Sequence, residues 1–298
     1  MNLNQLKVFH AAAEEKSFTR AANKLCLTQP GISKHVKDLE KYYGVPLFDR
    51  VGKKIVLTQA GDILYKATDK IFSLIDEAKK KIDDLEYLYT GHLRIGASIT
   101  LGIYVLLPFI KDFRSRHPQV DVLLDVSLSR EVEEKVLNHC LDIGFIGVPA
   151  EDERLVVEEF INDELILIFH PEHRWAGRKV VRVHELESES FLLSKSGSGT
   201  RAILEERFKD IGIKINGTEM GHTESVKRAV EAGLGVSILS KTVVVRELGM
   251  GWLKTAPLKG INLKRRFYYT YHRDKYLSKM VKEFLALAIA ESGKGSSS

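Results

Sequence analysis

The sequence predicts an α/β protein with a helical module at its N-terminus, and three observations predict it. Residues Ser17 to Tyr43 read as two helices joined by a tight turn, the second carrying a cationic face. From Leu64 to Tyr89, apolar residues alternate steps of four and three along one uninterrupted helix. Beyond Gly91 the chain turns to apolar strands alternating with helices, the pattern of parallel sheets covered by helices. At 298 residues, 44% hydrophobic and 29% charged, it is long enough for two or three domains with cores of their own.

In chain order, Leu3, Leu6, Phe9 and His10 begin a helix whose apolar side can pack beneath the helix pair that follows. The second helix of that pair is entered through Thr28-Gln29-Pro30. Pro30 has no N–H and a preset φ, so it belongs in a first helical turn, where Thr28 caps the free amides. Ile32, Val36 and Leu39 then fall at the spacing of a buried face, while Gln29, Ser33, Lys34 and Lys37 project elsewhere. A polar, cationic face on a short packed helix is the layout of a DNA recognition helix. Gly44-Val45-Pro46 breaks the helix, and two short apolar runs flank the tip Asp49-Arg50-Val51-Gly52-Lys53-Lys54, which reads as a hairpin. Arg50, Lys53 and Lys54 would lie against phosphates or a minor groove.

Charge divides along the chain in the same way. Residues 1–58 hold ten Lys+Arg against five Asp+Glu, and the remainder is balanced at 35 against 35. A basic module on a neutral body suits attraction to a phosphate backbone and not a general membrane surface.

Thr58 caps the next helix. Leu64, Thr68, Ile71, Ile75, Ala78, Ile82, Leu85 and Tyr89 follow the period of a coiled-coil seam on an otherwise charged rod of roughly 45 Å. Such a seam needs a partner, most simply the same helix of a second subunit, with Ile71, Ile75 and Ile82 at the contact. After Gly91 the expected strands lie at 92–98, 120–126, 141–146, 164–169, 191–194, 236–239 and 263–271, with helices across 106–113, 130–138, from Thr200, after Thr223 and over 276–290. Ligands of such sheets bind at the carboxyl ends of strands, beside helix N-termini. Three segments meet that condition: Ser98-Ile99-Thr100, Ser127-Leu128-Ser129, and Ser194 to Arg201. In the last, two glycines let the backbone come close, three hydroxyls donate and Arg201 adds charge, which suits a small oxyanion.

Other function classes fail on inspection. No apolar run approaches the roughly 20 residues of a membrane helix, and the N-terminus lacks a signal peptide's apolar core, so a cytoplasmic location is expected. Cys26 and Cys140 lie far apart without a CxxC partner and are expected as buried, reduced thiols. Gly91 to Gly96 lacks the Lys-Ser/Thr of a P-loop, Gly233-Leu234-Gly235 lacks a third glycine, and Ser196-Gly197-Ser198-Gly199 is not a nucleophile elbow. His170 and His173 flank Pro171 without a cysteine, so no metal or catalytic set is expected.

SFTRAANKL, TQPGISKHVKDLEKYYGVPLFDR and the basic strand pair ending in LTQAG resemble the N-terminal winged helix-turn-helix of LysR-type transcriptional regulators, and the chain has the length that family expects. Gly31 stands where the family more often has Ala, and Lys34-His35 where it often has Arg-Gln. The resemblance implies a DNA-binding domain at 1–58, a linker and dimerisation helix at 59–89, and a two-lobed effector domain like periplasmic solute-binding proteins. Lobe I would comprise 91–161 and 268–298, and lobe II 162–267, joined by two crossing strands. It implies DNA contacts from Thr28, Gln29, Pro30, Ser33, Lys34, Lys37, Arg50, Lys53 and Lys54. It implies an effector cleft lined by Ser98, Thr100, Ser129, Ser196, Gly197, Ser198, Gly199, Thr200, Arg201 and Thr223. The partners implied are a double-stranded DNA operator, a second or further copies in a homodimer or homotetramer, a small anionic effector and RNA polymerase, with no cofactor, enzyme activity or membrane. A solute-binding transport protein would share the C-terminal fold, but residues 1–58 count against it.

Overall fold

In the computed structural model, which describes residues 1–51, 54–85 and 91–292, the chain divides into two units. One is Met1–Lys79 with Asn138–Cys140, and the other is Lys80–Leu137 with Leu141–Ser298.

In the first unit, α1 (Leu3–Glu15) opens with a reciprocal cap: the Gln5 N–H donates to the Asn2 side chain and the Asn2 N–H to the Gln5 side chain. This satisfies amides that a helix start leaves free. Ser17 caps α2 (Phe18–Lys24) and Thr28 caps α3 (Gln29–Tyr43), accepting from Gly31 at 3.3 Å with Pro30 in the first turn. Small Ala11, Ala12, Ala21 and Ala22 bring the helices close around Val8 and Ile32. Gly44 ends α3 at φ +73°, the left-handed conformation that favours glycine. The antiparallel hairpin β1 (Phe48–Val51) and β2 (Lys54–Leu57) follows. It is tied to α3 by the Glu40 carboxylate, which accepts from Leu47 and Phe48 at 2.9 and 3.4 Å. Gly61, in the first turn of α4 (Gln59–Leu85), lies so near that a Cβ would sit 2.1 Å from the Leu47 carbonyl oxygen, so the position requires glycine.

The expected seam on α4 splits. Leu64 and Ile71 pack against the unit's own core of Leu6, Phe9, Leu39 and Leu47. Thr68 is fully buried, its hydroxyl donating to the Tyr65 carbonyl at 2.8 Å beside His10 at 3.0 Å. Ile75 and Ile82, by contrast, are 47% and 61% exposed. The side chains of Leu85 and Tyr89 lie outside the described residues.

The second unit is built on one long mixed sheet. Strands β4 (Val120–Ser127), β3 (Gly91–Ser98) and β5 (Ile143–Ile146) run parallel. They are packed by α5 (Leu106–Arg116), α6 (Ser129–Leu137) and α10 (Lys279–Ser292), with Phe113, Phe145 and Phe284 in the core. Two long strands carry the sheet onward, β6 (Leu155–Phe169) and β13 (Lys264–His272), paired antiparallel with a register shift at Phe267/Tyr268. On one side of that shift β13 pairs with β5, while β6 pairs with β10 (Ser237–Ser240) at 165–168. This is the expected pair of crossing strands.

The second lobe adds β7 (Val181–Arg182), the parallel pair β8 (Phe191–Leu193) and β9 (Gly217–Glu219), α7 (Gly199–Asp210), α8 (Thr223–Glu231) and α9 (Lys241–Gly249). Strand β11 (Lys254–Thr255) pairs antiparallel with the end of β6, and β12 (Leu258–Lys259) pairs with β7. Leu165, Leu167 and Phe169 face one core with Trp175 and Phe191, and Ile168 faces another with Val226 and Leu239. That is why this stretch is apolar without alternation.

Three expectations are corrected here. The sheet is mixed, because both crossing strands meet their neighbours antiparallel. Strand β6 starts nine residues before the expected Glu164, in a first half where Glu158, Glu159, Asn162 and Asp163 interrupt the apolar residues. Cys26 is exposed and Cys140 half-buried, where both were expected to be buried.

Candidate functional site

Two places concentrate the chemistry. The first is the outer side of α3. Ile32, Val36 and Leu39 are buried, while Gln29, Pro30, Lys34 and Lys37 are exposed along with the cap Thr28, and Ser33 is half-buried at the edge. Lys34 and Lys37 form no ion pair among the described residues, so their charge is free to meet an anion. On the hairpin, Lys53 lies outside the described residues, as do the side chains of Arg50 and Lys54.

The second is a cavity of about 30 Å³ between the lobes of the second unit. It brings together Ser98 at the end of β3 and Thr100 just after it, Ser129 at the start of α6, Ser198, Gly199 and Thr200 at the start of α7, and Thr223 at the start of α8. Three helix N-termini thus point amides and the positive ends of their dipoles at one small space. Ser129 accepts from the Gly147 amide at 3.4 Å, Ser198 shares a hydrogen bond with Ser194 at 2.9 Å, and the Thr100 hydroxyl makes no capping bond to the turn it precedes.

The charge at this cavity comes from a residue other than the expected Arg201. Arg201 does not line the cavity: its guanidinium donates to Glu205 and Glu219 at 2.7 and 2.6 Å, and these bonds raise its pKa. Ser196 lies outside as well, its amide directed at Glu219 at 3.3 Å, and Gly197 only supplies the left-handed turn, at φ +84°. The cation in the cavity is Arg265 of β13. It is 9% exposed, with Nε donating to Asp163 Oδ2 at 2.6 Å, Nη1 donating to Thr200 Oγ1 at 3.2 Å, and the guanidinium 4.5 Å from the Phe267 ring centroid.

Asp163 is held in turn by the Ser240 hydroxyl at 2.7 Å, and it faces Arg265 directly across the paired crossing strands. Burial lowers the pKa of Arg265 and Asp163 opposes that shift, and a guanidinium stays protonated under such conditions. Its Nη2 is buried without a hydrogen-bond partner. Leaving a charged donor buried and unpaired costs folding energy, so the arrangement has the form of a site awaiting an acceptor. The signal in the sequence was faint: one arginine on the apolar side of a strand that also carries Phe267 and Tyr269, and one aspartate in the run ahead of LILIF.

Among the described residues no helix is long and apolar enough to cross a membrane, and no three His, Cys, Asp or Glu side chains are grouped to hold a metal.

Residues 3–62 match the family described as bacterial regulatory helix-turn-helix protein, lysR family, and residues 88–292 match the LysR substrate binding domain. The HTH-type transcriptional activator CmpR of Synechocystis sp. is 35% identical over 284 residues, spanning 95% of this chain and 93% of CmpR. Among solved structures, full-length CbnR complexed with its target DNA aligns at a TM-score of 0.74 and 21% identity, over 98% of this chain and 100% of CbnR. The CcmR regulatory domain of Synechocystis PCC6803 in complex with 2-PG aligns at 0.64 and 26% identity, over 68% of this chain and 98% of that domain. The chain belongs to the LysR family: it is a transcriptional regulator with a helix-turn-helix domain at its N-terminus and an effector-binding domain behind it.

Proposed function

We propose that a small anion in the inter-lobe cleft controls this regulator, with Arg265 as its counter-charge and Ser98, Thr100, Ser129, Thr200 and Thr223 as its hydrogen-bonding rim. The unpartnered, buried Nη2 of Arg265 carries the reading. Hydroxyls and helix N-termini alone would accept many polar ligands, whereas a fixed, buried guanidinium selects for an oxyanion. The likeness to the CcmR domain makes 2-PG a rational first probe.

In this reading Gln29, Ser33 and Lys34 read base edges of a double-stranded operator, and Lys37 with the hairpin cations Arg50, Lys53 and Lys54 holds phosphates. Ile75 and Ile82, exposed on α4, join a second copy into a homodimer or homotetramer. Ile71, half-buried against its own core, has less to give to that contact. The regulator would act on RNA polymerase in the cytoplasm and bind its effector without turning it over.

Titration calorimetry with a panel of small anions that includes 2-PG tests the effector. Arg265→Lys keeps one charge but loses the forked donors, so affinity for whichever anion binds should fall by about tenfold or more. A variant that binds every anion as the wild type does would remove Arg265 from the site.

A further inference from the structure

Tyr104 joins the two lobes a short distance from the cleft. It belongs to the turn Leu101–Val105, where the Leu106 N–H reaches back five residues to the Leu101 carbonyl. Such π-type turns are rare and often sit at functional sites. Thr100, on one rim of the cleft, immediately precedes this turn, and Thr223, on the other rim, immediately precedes Glu224. The Tyr104 hydroxyl donates to Glu224 Oε2 and accepts from Lys227 Nζ at 3.1 Å. Its ring packs against the second-lobe cluster that contains Ile168, Leu192 and Val226. A first-lobe side chain is therefore built into the second lobe.

The receiving end is buried and closely paired. Lys227 is 3% exposed, with Nζ 2.8 Å from Glu247 Oε1 and 3.1 Å from Glu224 Oε2. Burial works against its charge, but the hydrogen bonds it donates to Glu247, Tyr104 and Glu224 more than offset this and raise its pKa. The second oxygen of Glu247 is buried without a hydrogen-bond partner. A cluster retained for stability alone would be better satisfied or apolar, which favours a role in lobe position.

While this bridge is made, the space between the rims is about 30 Å³. A larger ligand must part the rims, and parting them draws Tyr104 away from Glu224 and Lys227. We propose that the bridge from Tyr104 to Glu224 and Lys227 is a catch holding the cleft closed, which makes Tyr104 a positioning residue that opposes effector entry without touching the effector. A ligand shifts the lobes only by its preference for the parted arrangement, so releasing the catch removes part of what that preference must overcome.

Two variants of the full chain test this. Tyr104→Phe keeps the ring and its packing but loses the hydroxyl, and Glu224→Ala removes the other end at a half-exposed position. Hydrogen exchange without any ligand should be about two- to tenfold faster in both at amides 127–132 and 194–200, which contain neither substitution, and unchanged across α1 to α3. The double variant should be no faster than either single one, because both break the same bond. In a 2-PG titration each variant should bind about two- to tenfold tighter, whereas loss of a purely structural contact would weaken binding. Unchanged exchange in the single variants, additive effects in the double one, or weakened 2-PG binding would overturn the catch. The exchange measurement needs no ligand, so it stands or falls independently of Arg265 as the anion's partner.

Discussion

In the function proposed above, α3 and the inter-lobe cleft both offer positive charge to an anion, and they hold it in opposite ways. On α3, Lys34 and Lys37 stand in solvent without carboxylate partners among the described residues, and the helix beneath them is fixed by Ile32, Val36 and Leu39. In the cleft, one guanidinium is buried, pinned by Asp163 and Thr200 and left with a free donor. A long polyanion is captured by several weak, screened charges that release counterions, so exposure is an advantage there. A small anion makes few contacts and must be desolvated, so each of its donors has to be set in place beforehand. The residues that meet macromolecules should therefore be the exposed ones, and those that meet the effector the buried ones.

The largest test of that division is Ile75→Asp on α4. At 47% exposure the substitution should leave the subunit folded, yet it would put a charge into the seam with a second copy. Sedimentation should show monomers, with operator affinity lowered by about a hundredfold or more as the two half-sites lose their linkage. A variant that stays dimeric would place the subunit contact elsewhere.

Gln29→Ala comes next. A glutamine can pair with adenine through two hydrogen bonds, so this variant should lose about 1–3 kcal/mol at the preferred site and little on random duplexes. Lys37→Ala should instead weaken every duplex alike and flatten the salt dependence. Equal losses on specific and random DNA for Gln29→Ala would reduce α3 to a phosphate-binding face.

These two regions were also unequally legible. The signals that mark α3 in the sequence are local: Thr28 caps three residues away, Pro30 sits in the first turn, and Ile32, Val36 and Leu39 repeat at helical spacing. The cleft's hydroxyls were legible too, since Ser98, Thr100, Ser129, Ser198, Thr200 and Thr223 follow strands and precede or open helices or turns. Arg265 was not, because its partner Asp163 lies 102 residues away and no periodicity links two charged residues facing each other across paired strands. The split of the α4 seam was hidden for the same reason. A four-three repeat says that Leu64, Thr68, Ile71, Ile75 and Ile82 share one stripe, but which part is covered by the subunit's own core depends on where Leu6, Phe9 and Leu47 fold back.

The smallest expected effect is the sharpest on this point. By sequence Arg201 is the better anion partner, at the start of a helix within a Gly/Ser/Thr loop, and Arg265 is one basic residue in a run of three. In the fold, Arg201 is already engaged by Glu205 and Glu219 and reaches the Ser194 carbonyl at 3.2 Å, so it clamps the loop from behind. Arg201→Ala removes a partly exposed charge whose neighbours are carboxylates. It should change anion affinity by less than about twofold, and stability by about 0.5–1 kcal/mol through the lost clamp. Set beside Arg265→Lys in the same calorimeter, it isolates burial from charge: the conservative change inside the cleft should cost far more than the complete removal of the cation just outside it. If Arg201→Ala abolished anion binding while Arg265→Lys left it intact, the loop's own cation would be the anchor and the buried pair on the crossing strands merely structural.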